Sequence, residues 1–231
     1  MDQQVGCLCQ GNYYLSVSLS GFINYLDINN PNKPLRVVKG HNKTITALSV
    51  NVNSADNVLY TGSTDGSICF WNTNTGLQDR IEGHGHTNQV ADMKMDEKNL
   101  YTCGLDDMLK TIDMSENVFR NQVKLDSQPR GVAILNSKNL IIVACYTDVT
   151  VFVNGSKKYG LPVEYDPSCI NINQVNNNDV AIGGTKDCKV HVYGLNDTCL
   201  SERITLDHRG AITDVAYSPD GTYLAASDQN R

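Results

Sequence analysis

The side chains that could carry chemistry are few and dispersed. Five histidines and eight cysteines stand among 231 residues. Cys7-Leu8-Cys9 and His84-Gly85-His86 together offer two thiols and two imidazoles, a donor set that zinc accepts. The two pairs lie in different segments, however, and neither has the Cys-x-x-Cys spacing with which zinc sites announce themselves. They read as core thiols and a loop histidine pair. Asp106-Asp107 resembles part of a calcium loop, yet it occupies the same hairpin-turn position as Asp65-Gly66. Gly83-His84-Gly85 is too short to cradle a phosphate and has no helix after it. No Gly-x-Ser-x-Gly elbow occurs, and no histidine has a partner at triad-like spacing. Asp56, Asp96, Asp126, Asp166 and Asp207 read as loop residues. Catalysis therefore has no support, and no cofactor or metal is expected.

The elements around these residues repeat. A turn followed by an alternating strand appears as Ser20-Gly21-Phe22-Ile23-Asn24-Tyr25-Leu26-Asp27 and again as Asp65-Gly66-Ser67-Ile68-Cys69-Phe70-Trp71-Asn72. It returns at Asp106–Asp113, and more faintly at Thr147–Phe152 and Asp187–Tyr193. The equivalent apolar positions are Leu26, Trp71, Ile112, Phe152 and Tyr193, spaced 45, 41, 40 and 41 residues apart. Several short strands per period of that length mark a WD-repeat β-propeller. In the second period Ile45–Val50, Val58–Gly62, Ile68–Asn72 and Leu77–Ile81 read as four strands, with Asp65-Gly66 as a tight hairpin turn. Helical periodicity is absent, so the fold class is all-β.

Residues 1–231 are expected to form a single partial propeller. Its blades run approximately over 5–38, 45–81, 90–125, 131–160, 169–206 and 212–231. Five are full four-stranded blades; the sixth stops where its next strand is due, so the ring is incomplete. The chain is then either part of a longer protein or a small propeller closed with help from a partner.

Composition narrows the function classes. Hydrophobic residues make up 40% and charged residues 19%, and 19 basic against 25 acidic residues give a net charge of −6. Scattered acidic charge argues against nucleic acid as a partner. No apolar run of 18 residues exists and the first ten residues lack a signal-peptide pattern, which argues against a membrane partner. Cys69, Cys103 and Cys145 sit inside apolar strand-like runs, as buried free thiols of a reducing compartment do. Propellers without catalytic residues are usually rigid platforms for other proteins. Tyr13, Tyr14, Tyr159, Tyr165 and Arg130 are candidate anchors, although tyrosines in such strands more often pack.

The second repeat resembles the WD-repeat pattern most fully. Gly40-His41 precedes its first strand, Asp65 sits in the turn and Trp71-Asn72 ends the third strand. The resemblance implies that His41, a strand hydroxyl (Thr61 or Ser63), Asp65 and Trp71 form a structural hydrogen-bonded chain. A buried carboxylate is expensive unless paired, and the imidazole would be oriented by it. Ser20 replaces the aspartate in the first repeat, and Ile112 replaces the tryptophan in the third.

Longer phrases are more particular. Leu19-Ser20-Gly21-Phe22-Ile23-Asn24-Tyr25-Leu26-Asp27 and Gly85-His86-Thr87-Asn88-Gln89-Val90 resemble the actin-interacting protein 1 (WD-repeat protein 1) family. So do Val5-Gly6-Cys7-Leu8, Asn30–Leu35, Lys124-Leu125-Asp126 and Ile212–Gly221, in register along the chain. The resemblance implies two tandem seven-bladed propellers, with this chain matching most of the second. It implies a cytoplasmic, non-catalytic scaffold of the actin cytoskeleton whose partners are actin filaments and cofilin, promoting disassembly of cofilin-decorated filaments. No actin-contact residue carries over. A generic WD-repeat adaptor unrelated to actin stays open beside this reading, and a propeller enzyme behind both.

Overall fold

The computed structural model describes residues 4–10, 12–19, 22–50, 58–175, 179–196 and 199–230. Ser20, which replaces the aspartate in the first repeat, and Asp56 lie outside them. Among the described residues the regular structure is strand, apart from one 3-10 turn at Asn136–Lys138. The chain divides into two compact units, residues 1–106 with 110–122 and residues 107–109 with 123–231.

In the first unit β1 (Gln4–Gln10), β2 (Tyr13–Ser18), β3 (Phe22–Asp27) and β4 (Arg36–Lys39) form one antiparallel meander. A second contains β5 (Ile45–Val50), β6 (Val58–Ser63), β7 (Ile68–Asn72) and β8 (Gln78–Arg80). A third contains β9 (Val90–Met95), β10 (Asn99–Gly104), β11 (Met108–Asp113) and β12 (Val118–Lys124), a few of whose residues belong to the second unit. In the second unit β13 (Pro129–Leu135), β14 (Leu140–Cys145), β15 (Asp148–Val153) and β16 (Ser156–Pro162) make a fourth sheet. β17 (Pro167–Ile172), β18 (Asp179–Gly184), β19 (Lys189–Asn196) and β20 (Cys199–Asp207) make a fifth. β21 (Ile212–Tyr217) and β22 (Leu224–Asp228) pair as a two-stranded sheet.

Burial follows strand position. The second strand of each four-stranded sheet is largely buried, and in β14 all six residues of Leu-Ile-Ile-Val-Ala-Cys are. Such strands read as continuous apolar runs. The outermost strands β8, β16 and β20 are mostly exposed and polar, which protects their open edges from unwanted pairing.

Neighbouring sheets meet through side chains. Leu15, Val17, Ile23 and Tyr25 of the first sheet pack with Ile45, Leu59, Cys69 and Trp71 of the second. Ala47, Tyr60 and Ile68 of the second pack with Val90, Met93, Leu100 and Ile112 of the third. In the second unit Leu135, Ile142, Val149 and Val151 pack with Ile170, Val180, Ile182 and Tyr193, and Ala181 and Val190 with Ile212 and Val215. Of the five equivalent apolar positions, Trp71, Ile112, Phe152 and Tyr193 are buried, while Leu26 is half-buried. Side chains alternate across a strand, so Leu26 faces away from the second sheet while Ile23 and Tyr25 face it.

One feature of the sheets has no sequence signature. In all six, the pairing of the first two strands slips by one residue near the start of the first strand, for instance between Ile45 and Ala47 and between Pro129 and Gly131. A bulge there increases the local twist and re-aims the neighbouring side chains. In the second sheet the skipped residue is Thr46, whose hydroxyl donates to the Val90 carbonyl of the third sheet at 2.6 Å.

Candidate functional site

The residues singled out in the second repeat come together. Thr61, on β6, lies between Trp71 on β7 and His41 just before β5. Trp71 Nε1–H donates to Thr61 Oγ1 at 2.7 Å, and Thr61 Oγ1 lies 2.7 Å from His41 Nε2. His41 Nδ1 is 3.1 Å from Ser67 Oγ, and Ser67 donates both its hydroxyl (2.5 Å) and its backbone N–H (2.9 Å) to Asp65 Oδ1. The carboxylate can only accept and the indole can only donate, so one direction satisfies every group. Thr61 O–H donates to His41 Nε2, and His41 Nδ1–H donates to Ser67 Oγ. This direction requires a neutral imidazole. Burial pushes the His41 pKa below its ordinary value, opposed in part by the Asp65 charge.

Of the two strand hydroxyls that the resemblance offers, Thr61 is the one that bridges Trp71 and His41. One detail differs from the four-residue chain: Ser67 stands between His41 and Asp65. Asp65 itself is exposed. Its partial burial works against the charged form, but the hydrogen bonds from Ser67 help to outweigh it and lower the pKa.

The third sheet carries a second arrangement of this kind that its degenerate sequence hid. His86 Nδ1 lies 2.7 Å from Asp106 Oδ1 and His86 Nε2 lies 3.0 Å from Thr102 Oγ1, while Thr87 N–H donates to Asp106 Oδ2 at 2.9 Å. The His86 side chain is fully covered and that of Asp106 is 7% exposed. Burial lowers the His86 pKa against the pull of Asp106. Burial would raise the Asp106 pKa, but the Thr87 N–H and His86 hold it down. The available signal was spacing: Thr102 and Asp106 each follow Thr61 and Asp65 by 41 residues. Ile112 in place of tryptophan and the Asp-Asp turn obscured it.

The second unit varies the theme. Ser127 stands in for the histidine and donates to Asp148 Oδ1 at 2.7 Å, and Thr150 donates to Asp148 Oδ2 at 2.6 Å. In the fifth sheet His191 lies between two carboxylates, Asp187 Oδ2 at 2.8 Å from Nε2 and Glu202 Oε1 at 2.6 Å from Nδ1. Its ring stacks on Tyr165 with centroids 3.8 Å apart.

Carboxylate, imidazole and hydroxyl in a row is the order of a nucleophilic triad. Here Thr61 and Thr102 are 0% exposed, so neither hydroxyl can reach a substrate. The geometry suits holding a loop and a strand together. Among the described residues no three His, Cys, Asp or Glu side chains converge as a metal site. Cys7 and Cys9 are exposed on β1, and His86 is committed to Asp106 and Thr102.

The accessible features are elsewhere. A cleft of about 510 Å³ is lined by Glu82, Gly83 and His84, by Lys110 of β11 and by residues 118–122 of β12. Of the candidate anchors, Tyr13 is 44% exposed. Tyr165 is buried, and burial together with the Tyr193 hydroxyl raises its pKa. Tyr159 packs against the core of the fourth and fifth sheets, and Arg130 lies over the Tyr146 ring at 5.9 Å.

Comparison with known proteins places this architecture. The family described as "WD domain, G-beta repeat" matches residues 32–72 and 200–231. A chain of the crystal structure of the mitotic checkpoint complex superposes with a TM-score of 0.86 over 98% of this chain and 72% of its own, at 16% identity. A computationally designed protein, Ika8, superposes with a TM-score of 0.77 over 97% of this chain and 68% of its own, at 20% identity. These likenesses show the fold: a partial all-β WD propeller. Actin-interacting protein 1 of Drosophila melanogaster is 46% identical over the whole of this chain and 37% of its own length. WD repeat-containing protein 1-A of Xenopus laevis is 43% identical over the whole chain and 38% of its length. Actin-interacting protein 1 of Caenorhabditis elegans is 36% identical over the same shares. The chain thus spans a little over a third of the length of these curated relatives, and it belongs to the family of actin-interacting protein 1 and WD repeat-containing protein 1.

Proposed function

We propose that this chain is a non-catalytic platform that binds actin filaments and, as part of a longer protein, promotes disassembly of filaments decorated with cofilin. One observation carries the reading: the likeness to proteins named for interaction with actin runs through the entire chain rather than through isolated repeats. The buried hydrogen-bonded chains support it from the side of chemistry, since they spend their histidines and hydroxyls internally. His41, Asp65 and Trp71 are structural in this reading. The segment corresponds to most of the second of two propellers, acting in the cytoplasm at the actin cytoskeleton.

Sedimentation with actin filaments, with and without cofilin and beside a filament-free control, tests it. The expected result is a chain soluble alone that pellets with cofilin-decorated filaments or releases actin from them. A chain soluble alone and indifferent to both filament types would overturn the reading for this segment and favour a WD-repeat adaptor unrelated to actin.

A further inference from the structure

Lys110 is placed where a lysine rarely sits. Only 4% of it is exposed, and its ammonium donates to the carbonyls of His84 (2.7 Å) and Gly85 (2.9 Å). The Phe119 ring lies 5.7 Å from Nζ. Two carbonyls occupy two of its three N–H groups but bring no opposite charge. Among the described residues no carboxylate lies within ion-pairing distance, 4.0 Å, of the ammonium. Burying a cation is costly unless a counter-charge accompanies it. Lys110 also lines the 510 Å³ cleft, whose other charged side chains are Arg120 and Glu82. Arg120 is already paired outward with Asp113 and Glu116.

The same cleft runs along an open strand edge. β12 is the terminal strand of its sheet, bonded to β11 on one side. On the other side, Val118 makes a single parallel bridge with Glu82. Beyond that bridge Phe119, Arg120, Asn121 and Gln122 line the cleft, the last three with exposed side chains. The bridge shows that this edge accepts a strand, and shows in which direction.

We propose that the β12 edge and its cleft bind an extended acidic segment of a partner protein. The segment continues the parallel pairing begun by Glu82 and sets an aspartate or glutamate side chain against Lys110. Alternating N–H and C=O groups on a strand edge are matched by a peptide backbone. A phosphodiester backbone offers acceptors only, so it cannot match them. The carboxylate supplies the counter-charge that Lys110 lacks, and a neighbouring apolar side chain covers Phe119. The inference stands independently of actin.

The test is titration of the isotope-labelled 231-residue chain with a blocked heptapeptide of alternating threonine and valine around a central glutamate. The same peptide with central glutamine is the control. The expected result is saturable shifts of the Phe119–Gln122 amides, with the glutamine peptide weaker by about tenfold, in line with loss of a desolvated charge pair. Lys110→Met should remove the difference between the peptides. Equal binding of both peptides, shifts mapping elsewhere, or no shift at millimolar peptide would each overturn the proposal. Both peptides are compared on the unaltered chain, so the test decides even where Lys110→Met does not fold.

Discussion

Replacing Thr61 by valine isolates the hydrogen bonds at the centre of the second sheet. Valine keeps the size and shape of threonine at a position that is 0% exposed, so packing is preserved. What goes is one oxygen lying 2.7 Å from both Trp71 Nε1 and His41 Nε2. Each buried polar group left without a partner costs about 1–3 kcal/mol. The added apolar methyl returns roughly 0.8 kcal/mol. Thr61→Val should therefore lose about 3 kcal/mol, against ~5–15 kcal/mol for a typical domain. With a urea slope of ~1–3 kcal/mol/M, that moves the unfolding midpoint down by about 1–3 M. Trp71 is the sole tryptophan, so its emission in a urea titration reports this site directly. Thr61→Ser is the control: it keeps the hydroxyl, loses a methyl and should cost only about 1 kcal/mol. Packing alone predicts the opposite order, since valine fills the space and serine does not. A valine variant as stable as the serine variant, or more stable, would refute the hydrogen-bond reasoning.

Three further outcomes are expected. Burial lowers the His41 and His86 pKa values below 6.5, so unfolded chains take up these protons more readily than folded ones. Stability should be fully present above about pH 6.5 and fall as the pH drops below it; a urea midpoint unchanged between pH 7.5 and 5 would contradict this. Gly66 has φ +80°, and a Cβ there would lie 2.1 Å from the His86 carbonyl oxygen. Gly66→Ala should cost more than about 2 kcal/mol in the same titration. Cys7, Cys9 and Cys199 are exposed while Cys69, Cys103 and Cys145 are buried, with burial pushing the Cys69 thiol up to about 11. A thiol-exchange reagent should therefore react rapidly with the first three, and with the buried ones only in denaturant; rapid labelling of Cys145 in the native chain would show the packing to be wrong.

The repeat was legible because it is written in turns and in strand faces. Asp65-Gly66 marks a hairpin locally, and Ile68, Cys69 and Trp71 alternate or cluster as a doubly covered strand must. Such signals need only the chain's own neighbours. The His86 network was not legible for the opposite reason: its three members sit in a loop, a strand and a turn, and each has a blander local explanation. Ser67 in the Trp71 chain could not be foreseen either, because a serine after Asp-Gly reads as turn chemistry. Lys110 occupies a position in Met108-Leu109-Lys110-Thr111-Ile112 that the alternation leaves undecided. Its burial depends on two carbonyls from residues 84 and 85, a distant loop. The recurrent bulges leave no trace because they are made by backbone register, and their residues vary from Thr46 to Arg130.

Each sheet joins its strands in chain order, and each hydrophobic cluster joins one sheet to the next. Within either unit, what a segment needs in order to fold is thus already synthesised or arrives next. Ribosomes add roughly 5–20 residues per second, so a segment of about 40 residues emerges over seconds. Hairpins form in ~1–10 μs. A nascent chain would pair each meander long before the next one exists, leaving one greasy face waiting for its neighbour. The cluster around Trp71 closes as soon as the second sheet is out. Its tryptophan would be shielded from water while the third sheet is still unmade.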